Sequence, residues 1–235
     1  MRAYWSAPEL WPGATVVCIG GGPSLTASLV DACRNRQDNG QLVRVIAVND
    51  AYRLAPWADV LYFCDCKWWR WHSRKLGDWK GLIVRLQGGE HDFGDARIKV
   101  LRNLDQKRGL AERRDGLHTG QNSGYQAINL AVHLGARRIV LLGYDMQAPL
   151  VGGLPKTHWF GDHPGGTSPD VYTQMLPHFE SLVGPLAARG IEIINATPSS
   201  KLHCFPTKTL ATVLAGMEMD EATGAEHVSA CDFLR

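Results

Sequence analysis

The chain has 235 residues, 45% hydrophobic and 20% charged, a balance that suits a globular protein with a buried core and excludes a disordered one. Its formal net charge of +2 gives no overall field to draw nucleic acid or an anionic membrane. No apolar run approaches the ~20 residues that span a bilayer, so no membrane span is expected. The first eleven residues include Pro8 and Glu9 and lack the apolar centre of a signal peptide, so a cytoplasmic location is expected. Cys18, Cys33, Cys64, Cys66, Cys204 and Cys231 show neither a repeated disulfide spacing nor a zinc set; reduced thiols and no structural metal are expected.

In chain order, β-branched apolar runs alternate with helix-like stretches. This is the pattern of βαβ units, and it predicts an α/β fold with a Rossmann-like, mostly parallel sheet and helices on both faces. Residues 15–19 read as a buried strand stopped by Gly20, Gly21 and Gly22. Residues 25–34 read as a helix capped by Ser24 or Thr26. Buried strands follow at 43–48 and 60–63, ending at Asn49-Asp50 and Cys64-Asp65, with weaker strands at 82–86 and 98–101. Residues 123–134 are the clearest helix, because Ala127, Leu130, Ala131 and Leu134 recur at helical spacing and Gly135 offers a left-handed stop. A strand at 138–142 ends at Gly143-Tyr144-Asp145. Residues 147–170 are rich in Gly, Pro and His and aperiodic, as a functional loop or lid is. A helix is expected over 172–189, kinked or divided by Pro177 and Pro185, and a last strand over 191–194. One nucleotide-binding domain is expected over 1–215, with 216–235 as a peripheral tail.

In an open parallel sheet, ligands bind outside the carboxyl ends of the strands. That rule gathers the Gly20 turn, Asn49, Asp65, Tyr144 and Asp145 along one edge. Glycines let a backbone approach an anion and a helix start offers N–H groups, so Gly20-Gly21-Gly22-Pro23-Ser24 suits a phosphate. It lacks the Walker A lysine, and the third glycine of a dinucleotide fingerprint would fall at Leu25; a tight turn without a ligand is the alternative. Asn122-Ser123-Gly124 opens the clearest helix as a second anion site or an ordinary capped start. His158 and His163 suit acid–base work, metal ligation or simple exposure. Gly161 and Pro164 argue against the helix that a zinc-binding histidine pair would need. The stretch 67–75 interleaves Trp68, Trp69 and Trp71 with basic residues. It either stacks on a base or sugar, or is a helix whose tryptophans pack on the sheet.

Taken in this order, the motifs resemble the bacterial CMP-sialic acid-dependent sialyltransferases and the related domain of archaeal-type 6-hydroxymethylpterin diphosphokinases, in particular phage and prophage members of that group. The resemblance runs from about Val16 to Phe205. It implies a glycosyltransferase with a nucleotide-sugar or other nucleotide diphosphate donor, a hydroxyl-bearing acceptor and no required cofactor. It assigns donor binding to Gly20, Gly21, Gly22, Pro23, Ser24, Asn49, Asp65, Asn122, Ser123, Gly124 and Asp145. The general base falls to His163, with His158 in competition because the segment carries one extra residue. Tyr144 or Tyr172 would hydrogen-bond the departing phosphate. Gly21 stands where the family has an asparagine, and Asp65 is a carboxylate where an amide is expected. A carboxylate beside a phosphate calls for a cation. The second reading is therefore a Mg²⁺-dependent diphosphokinase-like enzyme with Asp65 and Asp145 on the metal, and the third a non-catalytic nucleotide-binding phage protein. Homo-oligomerisation is left open.

Overall fold

The protein is described by a computed structural model covering residues 4–38, 43–89, 93–166, 168 and 170–221. The chain runs through β1 (Thr15–Ile19), α1 (Ala27–Asp38), β2 (Val43–Val48), β3 (Val60–Phe63), α2 (Cys66–His72), β4 (Leu82–Leu86), β5 (Ile98–Asn103) and β6 (Gly116–Leu117). It continues through α3 (Ser123–His133), β7 (Arg138–Leu142), the strands β8 (Leu150–Val151) and β9 (Leu154–Pro155), α4 (Val171–Glu180), α5 (Val183–Ala188), β10 (Glu192–Asn195) and α6 (Leu210–Glu221). Eight strands form one sheet in the order β10-β7-β1-β2-β3-β4-β5-β6, every pair of them parallel.

Strands buried on both faces need apolar residues at every position, and β1, β3 and most of β2 are buried throughout. Val16, Cys18, Ile46, Val48, Val60 and Tyr62 point to one face and meet α3, α4 and α5 through Ile128, Leu130, Phe179 and Leu186. The alternate residues Val17, Ile19, Val45, Ala47, Leu61 and Phe63 meet Val30 and Cys33 of α1, Trp68 and Trp69 of α2 and Val213 of α6. Successive strands build outward from β1 to β6. The chain then returns along α3 and lays β7 on the other side of β1, so the direction of build reverses between β1 and β7. That reversal opens a crevice at the carboxyl ends of these strands.

Several elements differ from the sequence reading. α1 begins at Ala27 rather than 25, because Pro23 and Ser24 lie in a turn closed by Leu25 N–H on Gly22 O at 3.2 Å. Thr26, not Ser24, receives the first helical amide, from Leu29 at 3.4 Å. The expected helix over 172–189 divides at Ser181–Leu182, between the prolines rather than at them. Ser181 ends α4 by donating its hydroxyl to His178 O at 2.6 Å. β10 starts one residue late, in register with β7 through Glu192 and Arg138. The expected boundary at 215/216 falls inside α6, whose Leu210, Val213 and Leu214 are buried against the sheet; residues 222–235 of the expected tail lie outside the described residues. The loop 147–170 holds the small antiparallel pair β8–β9, with Leu150, Val151 and Leu154 exposed. Among the described residues no helix is long and apolar enough to cross a membrane.

Candidate functional site

A cavity of about 340 Å³ opens at the carboxyl ends of β1, β2, β3 and β7, walled by the start of α3, by α4 and by the loop carrying His158 and His163. Pockets of this size hold small ligands. Gly20 to Pro23, Asn49, Asp65, Asn122 to Gly124, Tyr144, Asp145, His158 and His163 all line it, so the topology brings together residues far apart in the chain.

The glycine turn offers an external anion less than the sequence suggests. Gly20 N–H donates to Leu142 O at 2.7 Å and Gly22 N–H to Gly143 O at 2.8 Å, which zips the turn onto the end of β7. Ser24 gives both its donors to Asp145, the amide to Oδ1 and the hydroxyl to Oδ2, each at 2.9 Å. Pro23 has no N–H, so Gly21 alone keeps a free amide among the described residues of the turn. A carboxylate of the protein itself occupies much of the cradle. Burial pushes the Asp145 carboxyl above its usual range, and the two Ser24 bonds pull it back down. The glycines are steric: a Cβ on Gly22 would lie 1.9 Å from Asp145 Oδ2, and one on Gly20 would lie 2.6 Å from Gly143 O.

The start of α3 is a capped one. Asn122 Oδ1 accepts from the amides of Gly124 at 2.8 Å and Tyr125 at 3.2 Å, and the Ser123 hydroxyl meets Cys64 Sγ at 3.1 Å. Tyr144, whose hydroxyl is expected to meet a departing phosphate, is engaged within the protein. It is buried, its hydroxyl donates to Gly124 O at 3.1 Å, and it packs so tightly on Gly124 that a Cβ there would fall 2.6 Å from its ring. Tyr172 is likewise engaged, donating to Thr157 O at 2.9 Å. Asp65 is exposed at the cavity edge, in the N-cap position of α2 but without a cap bond. Asn49 and Met146 stand in left-handed backbone at φ +50° and +51°, and Asn49 Oδ1 is buried without a partner. At Asn49, left-handed backbone and an unsatisfied polar atom thus coincide at the end of β2.

The histidines differ in their surroundings. His163 sets Nδ1 3.8 Å from Oδ2 of Asp50, a carboxylate only 2% exposed. Asp50 is held by the Trp68 indole N–H at 2.8 Å and by Arg53 at 3.3 Å, and His72 Nε2 lies 3.6 Å away. His158 packs edge-on against His163, with ring centres 4.7 Å apart, and stacks on Phe160. Burial and the neighbouring His163 push His158 down to about 4. Asp50 has no role in the sequence reading. The only signal was a carboxylate directly after Asn49 at a strand end. The tryptophan-rich stretch forms α2 with Trp68 and Trp69 packed on the sheet, and Trp68 also orients that carboxylate.

The depressed His158 makes the loop sensitive to acid. An unfolded imidazole binds its proton near 6.5 and the folded one near 4, so between these values the opened loop holds more protons than the closed one. The His158 contribution is complete above pH 6.5 and is lost as pH falls toward 4, with a ceiling of about 3 kcal/mol. Hydrogen exchange across residues 157–163, corrected for intrinsic rates, is expected to show weaker protection at pH 5 than at pH 7.5. Equal protection at both would contradict the buried neutral imidazole.

Fold and site together define a parallel α/β protein whose cavity sits where the strand order reverses and is lined by a glycine turn and a histidine beside a buried carboxylate. No family model matches the chain, and no curated protein matches it significantly.

Proposed function

We propose that the chain is a transferase that takes a nucleotide-sugar donor and moves the sugar to an acceptor hydroxyl, with His163 as general base. The observation that carries the reading is the seating of His163 on the buried Asp50, inside the cavity that the Gly20 turn also lines. A base must lie in the cavity, and the positive charge that it acquires must be stabilised. His163 removes the proton from the acceptor hydroxyl as its oxygen bonds to the anomeric carbon. The bond to the nucleotide breaks, and the phosphate leaves with the electron pair. Asp50 then faces the imidazolium. His158, held near 4, is a weak base. The Gly21 amide and the Asn49 side chain are the free polar groups for the donor, with the Ser123 hydroxyl beside them.

The Mg²⁺-dependent pyrophosphoryl-transfer reading has less support, because both Asp145 oxygens are taken by Ser24. Among the described residues no group of three or more His, Cys, Asp or Glu side chains is arranged to hold a metal ion.

A thermal-shift screen with CMP, UDP, GDP and ATP, each with and without Mg²⁺, tests the proposal. A ligand at a hundred times its Kd stabilises by about 2.7 kcal/mol, enough to rank the nucleotides. The expected result is a shift with one nucleoside mono- or diphosphate that persists in EDTA. A shift with ATP only when Mg²⁺ is present favours the diphosphokinase reading. Nucleotide binding with no turnover of any donor favours a binding module. His163→Ala is expected to remove turnover while the nucleotide shift remains; equal loss of both would remove the base role.

A further inference from the structure

Arg85, near the end of β4, is 1% exposed, and the described residues give it no carboxylate. Its Nε donates to Leu86 O at 3.0 Å and its guanidinium lies 4.6 Å from the centre of the Phe93 ring. Nη2 points at Cys66 Sγ at 3.7 Å, and Nη1 is buried with no partner. A buried cation without an anion is strongly unfavourable. The group at contact distance that can become an anion is the Cys66 thiol. Cys66 is itself half-buried, so reagents reach it, while the cation behind it is shut away. Gly88 closes the pair from above: a Cβ there would stand 3.3 Å from Arg85 Nη2 and 3.4 Å from Cys66 Sγ. The other described thiols are held neutral, since burial pushes Cys18 and Cys33 up to about 12 and Cys64 and Cys204 up to about 11.

We infer that Cys66 is a reactive-thiolate site with Arg85 as its fixed counter-ion, and that its substrates are peroxides and other small, soft electrophiles. A thiolate is the nucleophilic form of cysteine, and a neighbouring guanidinium favours it. With hydrogen peroxide, the sulfur lone pair forms an S–O bond while the O–O bond breaks and hydroxide leaves. Sulfur is oxidised by two electrons, peroxide is reduced, and the sulfenic acid keeps the proton of the transferred hydroxyl. Arg85 Nη1 is the unused donor available to the new oxygen. Cys64 and Asp65, which precede Cys66 in the chain, line the cavity. The inference does not depend on what the cavity binds.

Limiting iodoacetamide at pH 7, followed by peptide mapping of the full chain, is expected to label Cys66 at least about tenfold faster than Cys18, Cys33, Cys64 or Cys204. Peroxide followed by dimedone is expected to place the adduct on the same residue. Arg85→Met, checked for folding by near-UV circular dichroism, is expected to abolish the preference, and Arg85→Lys to keep part of it. Label spread evenly over the thiols, or an undiminished Cys66 rate in folded Arg85→Met, overturns the proposal. Should neither variant fold, the pH–rate profile of alkylation in the native chain decides. The titratable or charged groups facing the thiol are Cys64, Asp65 and Arg85. A midpoint below the ~8.5 of a free thiol supports the site, and a midpoint at or above it overturns it.

Discussion

Replacing Asp50 by asparagine is expected to lower turnover by about 10²–10⁴-fold while nucleotide binding is kept, because the change removes the charge behind the base, and its pairing with half-exposed Arg53, while keeping the shape of the side chain. The amide retains an oxygen for the Trp68 indole, which donates to Asp50 at 2.8 Å, and fits the same volume. What disappears is the negative charge 3.8 Å from His163, which stabilises the imidazolium when the acceptor gives up its proton. Near-UV circular dichroism and a retained nucleotide shift separate this from simple misfolding. Asp50→Ala is expected to behave differently. It leaves the Trp68 donor buried without a partner, at a cost of about 1–3 kcal/mol in stability, to which the lost pairing with half-exposed Arg53 adds little. Unchanged turnover in folded Asp50→Asn would show that the carboxylate only braces α2 against the turn after β2.

The fate of particular residues shows what could be read from the sequence and what could not. Strands β1, β2, β3 and β7 were legible because a strand buried on both faces must be apolar along its whole length, and each stops at Gly, Asn, Cys-Asp or Gly. Once they were parallel neighbours, their carboxyl ends had to meet, and that placed Asn49, Asp65 and Asp145 in one cavity. Asp50 was not legible, because its importance comes from Trp68 and His163, on elements that reach it only through the fold. The engagement of Tyr144 with Gly124 is hidden for the same reason: a tyrosine at a strand end reads as available until its packing partner is known. α6 escaped notice because its sequence mixes Thr, Ala and Gly without a clear apolar stripe. Local chemistry thus fixes where a ligand can sit, and long-range contacts decide which groups are still free to touch it.

The glycine turn turns that distinction into a measurement. Gly22→Ala is expected to destabilise the fold by about 3–5 kcal/mol, because its Cβ would lie 1.9 Å from Asp145 Oδ2 and 2.6 Å from Gly143 O. Neither atom can yield cheaply. Gly143 O receives the Gly22 amide, and displacing Asp145 forfeits two hydrogen bonds to an ionised group, each worth about 1.5–3 kcal/mol. Gly21→Ala is the matched control. Its Cβ meets only His158 Cδ2 at 3.2 Å and Phe160 Cε1 at 3.6 Å, side chains of the loop that can shift outward. It should change stability by less than about 1 kcal/mol, yet narrow the cavity beside the free Gly21 amide and weaken ligand binding. Urea unfolding and nucleotide thermal shifts on both variants separate the two roles. Gly22 acts as the hinge pin of a turn locked by the protein's own carboxylate, and Gly21 as the backbone surface left for a ligand. Equal stability loss in both variants would mean that the loop over Gly21 is as rigid as the strand ends. Unchanged binding in Gly21→Ala would mean that the ligand lies elsewhere in the cavity, toward Asn49 and Ser123.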